Sequence, residues 1–198
     1  MDVTQLAERL SGAAKTKRVD QDTVLFSRGD RTRNMYGLLL GSARLLRYTV
    51  DGTPITLHRA RLGSFFAEAS LFASTYHCDG EASAGSVVMA FPKSAVLELM
   101  ERDASFARAF CQHMARQVQG LRSNLELRGI RSAEERVVAA LSLKLRDGQN
   151  RVELPGTWKD FAQDVGLTHE ALYRALKRLE VSGRLRRDGL VVWIEGVD

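Results

Sequence analysis

Between residues 19 and 91 the apolar positions fall in short runs separated by polar turn residues. VLF precedes SRGDRTRN, MYGLLL precedes GS, ARLLRYTV precedes DGTP, ITLHRARL precedes GSFF, and SVVMAF ends at Pro92. Runs of this length recurring about every ten residues predict β-strands in a small barrel or sandwich. The Asp51-Gly52 pair marks a hairpin between two of them, because both residue types tolerate the positive φ of tight turns. Ahead of the strands, VTQLAERL has the spacing of one short helix.

The period then changes. Ala107, Cys111, Met114, Val118, Leu121 and Leu125 recur at alternating steps of four and three, with Arg108, Gln112, Arg116, Gln119 and Arg122 on the polar faces. A short seam of this kind can pack on its own domain. A long helix leaving a β-domain is more simply covered by a second copy across a two-fold axis, so Cys111, Met114, Val118, Leu121 and Leu125 are expected to form a dimer seam. Gly129 ends or bends the helix.

A third pattern occupies the rest. SAEERVVAALSLKL places Ser132 three residues ahead of Glu135, a capping-box spacing before the stripe Val137, Val138, Leu141 and Leu145, and Asp147-Gly148 closes it. VELPGT reads as a short strand, TWKDFAQDVGL and THEALYRALKRLEVSG as two helices separated at Gly166, and RLRRDGLVVWIEG as a hairpin turning at Asp188-Gly189. Helix, strand, helix, turn, helix, hairpin is the order of a winged helix-turn-helix. The expected organisation is a β-domain over residues 1–103, a seam helix over 104–129 and a winged helix-turn-helix over 130–198.

Composition narrows the class. A chain of 198 residues with 44% hydrophobic and 27% charged residues has the balance of a folded globular protein. No stretch approaches the roughly 20 apolar residues of a membrane span, and the N-terminus lacks a signal-peptide core, so no membrane partner is expected and the cytoplasm is the expected compartment. Cys78 and Cys111 lie far apart and outside any CxxC pair, which predicts reduced thiols. The net charge of +5 is unevenly spread. Arg174, Lys177, Arg178, Arg184, Arg186 and Arg187 face one acid, Glu180, in the C-terminal stretch, the distribution that a nucleic-acid-binding module requires.

Within the two helices around Gly166, Phe161, Ala162 and Val165 form one inward face, and Leu172, Leu176 and Leu179 the other. Thr168 is placed to cap the second helix, which turns His169, Glu170, Tyr173, Arg174 and Lys177 outward. Arg174 can fork onto guanine, Glu170 can accept from the amine of cytosine or adenine, and His169 can meet a base or a phosphate. Glu170 and Arg174, four apart, equally fit an ordinary ion pair on a solvated helix. Agreement of the basic cluster, the Gly turn and the hairpin favours DNA, with Arg184, Arg186 and Arg187 near phosphates.

The segments VLFSRGDRTRNMYGLLLGSARLL, GSFFAEASLF and WKDFAQDVGLTHEALYRALKRLEVSGRL together resemble the CRP/FNR family of bacterial transcription regulators, in order and over essentially the whole chain. The resemblance implies an α+β protein with an N-terminal jelly-roll β-barrel of the cyclic-nucleotide-binding type, a long dimerisation helix and a C-terminal winged helix-turn-helix. It further implies a homodimer on double-stranded promoter DNA, with RNA polymerase as a partner if the protein activates. Glu170 and Arg174 occupy the family's main base-reading positions.

In cyclic-nucleotide-binding members a Glu holds the ribose and a following Arg-Ser pair the phosphate. Glu68 matches the first, whereas Cys78 and Asp79 stand at the Arg-Ser positions, and Leu121 and Arg122 stand where purine contacts fall. Asp79 would repel a phosphate. Cyclic AMP is therefore not expected, no cofactor is assigned, and an unidentified small effector remains open.

The knot Tyr76, His77, Cys78 and Asp79 also raises metal, redox or enzymatic chemistry with Glu68. Consecutive residues of an extended segment point to opposite sides, so His77 and Cys78 are poorly placed to share an ion, and no metal is expected. A responsive Cys78 would need a stabilised thiolate, which Asp79 opposes. GxxxxGK[ST], HExxH and GxSxG are all absent, so the chain is expected not to be an enzyme. The plainest expectation is that Tyr76 to Asp79 shape a loop and a pocket rim. Cys111 is expected as an apolar seam residue, and His58 and His113 show no partner in the sequence.

Overall fold

The computed structural model describes residues 2–10, 12–145, 148–154 and 156–195, and the chain divides into two compact units, Met1–His113 and Met114–Asp198. The first unit opens with α1 (Val3–Arg9). Its start is fixed reciprocally: the Asp2 carboxylate accepts from the Gln5 amide, and the Gln5 side chain accepts from the Asp2 amide.

Strands β1 (Lys15–Val19), β2 (Thr23–Phe26), β3 (Asn34–Leu40), β4 (Ala43–Tyr48), β5 (Pro54–Ala60), β6 (Phe65–Phe66), β7 (Asp79–Ala82) and β8 (Ser86–Pro92) follow. They build two antiparallel sheets, ordered β1-β8-β3-β6 and β2-β7-β4-β5. Val19, Tyr36, Leu38, Phe66 and Val88 from the first meet Phe26, Leu45 and Ala82 from the second in one core. Alternate side chains thus bury between two sheets, which is the sandwich that the spacing predicted.

Two strands escape the hydrophobic pattern. β1 begins at Lys15 because an edge strand with Lys15 to Arg18 exposed carries no alternation. β7, with the sequence DGEA, has little β-propensity, yet it pairs on both sides with β2 and β4. Gly80 explains part of this: a Cβ there would stand 2.3 Å from the Phe26 ring, so only glycine lets that ring lie across the strand.

A 3-10 turn, Glu68–Phe72, follows β6, and α2 (Lys93–Arg102) leaves β8 directly. The long helix α3 (Ala104–Gly129) is started by Asp103, whose carboxylate accepts from the amides of Ser105 at 2.9 Å and Phe106 at 3.0 Å. Phe106 and Phe110 are buried, while Val118, Leu121 and Leu125 on the predicted seam are 43%, 58% and 68% exposed.

The second unit contains α4 (Ala133–Ser142), β9 (Arg151–Glu153), α5 (Trp158–Asp164), α6 (His169–Val181), β10 (Leu185–Asp188) and β11 (Val191–Ile194), with sheet order β10-β11-β9. Val137, Leu141, Phe161, Val165, Leu172, Leu176, Leu179 and Val192 share one core. Two details differ from expectation. Ser132 caps α4 through Glu135 N–H, but the Glu135 carboxylate turns to Arg184 at 2.6 Å, so the reciprocal half of the capping box does not form. The wing turns at Gly189-Leu190, one residue later than read, because Asp188 still pairs with Val191. Asp147 and Pro155 lie outside the described residues.

Candidate functional site: the outward face of α6 and the β-domain interior

The turn between α5 and α6 is held from both ends. Thr157 and Asp160 form a capping box on α5, and the Thr168 hydroxyl accepts from Ala171 N–H at 3.1 Å to start α6. Gly166 takes φ 68°, a value that admits glycine readily and side chains rarely. The Arg136 guanidinium of α4 donates to the carbonyls of Ile130 at 2.6 Å and Gly166 at 3.2 Å, satisfying acceptors that a helix end leaves open.

On this base α6 sorts its side chains. Leu172, Ala175, Leu176 and Leu179 are buried, whereas His169, Glu170, Tyr173, Arg174 and Lys177 are exposed along the opposite face, with Thr168 exposed at its start. Glu170 and Arg174 make no ion pair with each other or with any other described residue. The surface ion pair that their spacing allowed is therefore not formed, and both groups are free to meet a ligand. The His169 and Tyr173 rings lie 4.6 Å apart.

The remaining cations divide. Arg178 binds Glu134 at 2.8 Å and Arg184 binds Glu135 at 2.6 Å, which ties both to α4 and corrects the expectation that Arg184 stands ready for a phosphate. Their partner carboxylates are held below their ordinary range by these arginines. Arg187 binds Glu180 at 2.7 Å, and Arg186 leans over the Trp193 ring at 4.2 Å. Lys177 and Arg186 have no ion pair among the described residues.

Inside the β-domain the residues of the expected effector pocket serve different neighbours. Tyr76 is buried in the aromatic core, 3.9 Å from the Phe26 ring, and its hydroxyl donates to Asn34 O at 2.7 Å, so it belongs to the core and not to a rim. Together with desolvation, its presence pushes the Tyr36 phenol up to about 12. His77 is exposed and Cys78 buried, the alternation expected of an extended segment. Burial raises the Cys78 pKa, Arg47 lowers it and Asp79 raises it, so the thiol is less reactive than a free one. Asp79 sits in β7 and accepts from Arg28 N–H at 3.0 Å. Leu121 and Arg122 are exposed on the part of α3 that belongs to the second unit. No group of three His, Cys, Asp or Glu side chains suited to a metal ion occurs among the described residues.

Glu68 has the partner that sequence reading missed. It is only 7% exposed, and its carboxylate lies 3.4 Å from His113 Nε2 on α3. Burial alone would raise its pKa. The hydrogen bond with His113 and the nearby charge of His58 outweigh that, leaving the carboxyl below its ordinary range. One signal was available: His113 continues the buried line of Phe106 and Phe110 at steps of four and three. Glu68→Gln is expected to destabilise the protein by about 2 kcal/mol near neutral pH. The folded-state pKa is depressed, so the stabilisation exists above the unfolded value and is lost as pH falls through the folded one. Urea unfolding of both proteins across the acid range should show the gap closing; a gap that widened toward acid would contradict this assignment.

An antiparallel sandwich, a long helix and a winged helix-turn-helix follow one another along the chain. Residues 16–103 match the family model described as a cyclic nucleotide-binding domain. The chain is 28% identical over 167 residues to the nitrogen fixation regulation protein FixK of Bradyrhizobium diazoefficiens, covering 81% of this chain and 70% of that protein. It is 27% identical over 179 residues to the transcriptional activatory protein AadR of Rhodopseudomonas palustris, covering 87% and 74%. The solved structure of FixK2 from Bradyrhizobium japonicum superposes with a TM-score of 0.67 at 21% identity, covering 92% of this chain and 93% of the other. The chain is thus similar to these two regulators over most of its length, and to a cyclic nucleotide-binding domain over residues 16–103. No described helix is long and apolar enough to cross a membrane.

Proposed function

We propose that the protein is a sequence-specific regulator of transcription that binds double-stranded promoter DNA as a homodimer in the cytoplasm, without cyclic AMP. The observation that carries this is Glu170 and Arg174, exposed and without an ion pair among the described residues, on the outward face of a capped helix whose other face is core. In a major groove Arg174 forks onto guanine and Glu170 accepts from a base amine, with His169, Tyr173 and Lys177 beside them and Thr168 at the helix start. The wing strand β10 brings Arg186 and Arg187.

Residues 104–129 act as the dimerisation helix through Cys111, Met114, Val118, Leu121 and Leu125, between a sensor domain at 1–103 and a DNA-binding domain at 130–198. Independence of cyclic AMP follows from Cys78 and Asp79 in place of phosphate-binding groups and from the engagement of Glu68 by His113. RNA polymerase is a further partner where the bound protein activates.

Selection of bound duplexes from a random-sequence pool tests the reading. A two-fold symmetric site should emerge, with a G·C pair in each half and half-sites about one helical turn apart. Recovery of no sequence preference at any salt concentration would overturn it.

A further inference from the structure

We propose that Arg187 is a positioning residue that clamps the wing to α6 and sets Tyr173 and His169 for the duplex, while the adjacent Arg186 is the cation that the wing presents to phosphate. The proposal rests on the DNA-binding function above and divides the labour of two neighbouring arginines within it.

Arg186 and Arg187 are consecutive in β10, so their side chains leave opposite faces of the wing. Arg187 Nε donates to Glu180 Oε1 of α6 at 2.7 Å. Its guanidinium carbon stands 5.3 Å from the Tyr173 ring centroid and 5.4 Å from that of Trp158, both within cation–π range. Tyr173 in turn lies 4.6 Å from His169, and Trp158 Nε1 donates to Gly189 O at 3.0 Å, at the tip of the wing. One guanidinium therefore joins α5, α6 and β10, reaching the exposed Tyr173 ring, which in turn has His169 beside it.

The charge of Arg187 is already answered. The pair with Glu180 leaves its side chain 23% exposed, and a phosphate would have to displace a carboxylate at hydrogen-bond distance. Arg186 differs on each count. It is exposed, has no ion pair among the described residues, and has its stem and guanidinium steadied by Trp193 directly across the β10–β11 ladder. Its charge is available to an anion in front of the wing.

The two roles differ in salt dependence and in selectivity. Each lost phosphate contact reduces the slope of log affinity against log salt by about 0.9, and a dimer loses two at once. Arg186→Ala should flatten the slope by about 1.8 and weaken binding to selected and random duplexes alike. Arg187→Ala should leave the slope and the random-duplex affinity unchanged and reduce preference for the selected site on the order of tenfold, the scale of a displaced base contact.

Glu180→Gln gives the sharpest sign. It should mimic Arg187→Ala; if Arg187 instead contacted phosphate, freeing it and removing an acid would tighten binding. Fluorescence anisotropy over a salt series on wild type and the three variants measures all of this. A variant that merely failed to fold would lose random and selected binding together, and thermal melts would report it; Arg187→Lys, which keeps the charge for Glu180, should then recover most of the preference in a folded protein. A flattened slope for Arg187→Ala, tighter binding by Glu180→Gln, or no recovery by folded Arg187→Lys overturns the proposal. Absence of selective binding by the wild type would overturn the DNA-binding function itself.

Discussion

Arg174→Ala is expected to weaken binding to the selected duplex by about 30-fold to about 25,000-fold, because one bidentate guanine contact is worth about 1–3 kcal/mol and a symmetric dimer loses two. The structure gives a reason to expect the upper part of that range. Arg174 makes no ion pair or side-chain hydrogen bond among the described residues, so its removal leaves no buried group orphaned in the free protein, and the whole effect is read in the complex. The variant should melt at the wild-type temperature and become indifferent to the base pair that wild type requires as G·C. A variant that kept this preference while losing affinity would move Arg174 from base reading to phosphate binding, and with it the register of α6 in the groove.

The second large effect concerns the seam. The double variant Leu121→Glu, Leu125→Glu should sediment as a monomer at concentrations where wild type is a dimer. Fully burying one Leu side chain is worth about 1.5–3 kcal/mol, about two thirds of which remains to be gained at these half-exposed positions, and the two-fold axis counts each twice, so about 4–8 kcal/mol of association is removed before charge repulsion is added. The subunit itself should be untouched, since both side chains are 58% and 68% exposed in the single chain. Equal melting curves at low concentration, with dimer lost in ultracentrifugation and site affinity lost in anisotropy, are the expected set. A variant that remained dimeric would place the interface elsewhere.

Patterns carried by local periodicity were legible in the sequence. The run of apolar β-segments and the inward leucines of α6 each follow from burial on one face, and burial leaves a period. The α6 surface was legible for the same reason, since residues off the inward stripe must face outward. What stayed hidden depends on partners distant in the chain. Glu68 and His113 meet across 45 residues, and Glu135, read as half of a capping box, is taken by Arg184 on the wing. β7 was hidden because DGEA carries no apolar alternation; its Glu81 is held by Arg44 across the ladder at 2.9 Å, and the Phe26 ring lies over Gly80. Tyr76 looked like a pocket residue because its hydroxyl is chemically versatile; a backbone carbonyl of Asn34 uses that hydroxyl, and Phe26 the ring.

The sorting of α6 has a consequence for descent. Leu172, Ala175, Leu176 and Leu179 hold the helix in place without help from His169, Glu170, Arg174 or Lys177. Residues on the outer face can be exchanged singly at little cost in stability. Under the proposed DNA-reading role, each exchange would offer the lineage a new set of operators while the old scaffold persists, so target choice would drift faster than architecture.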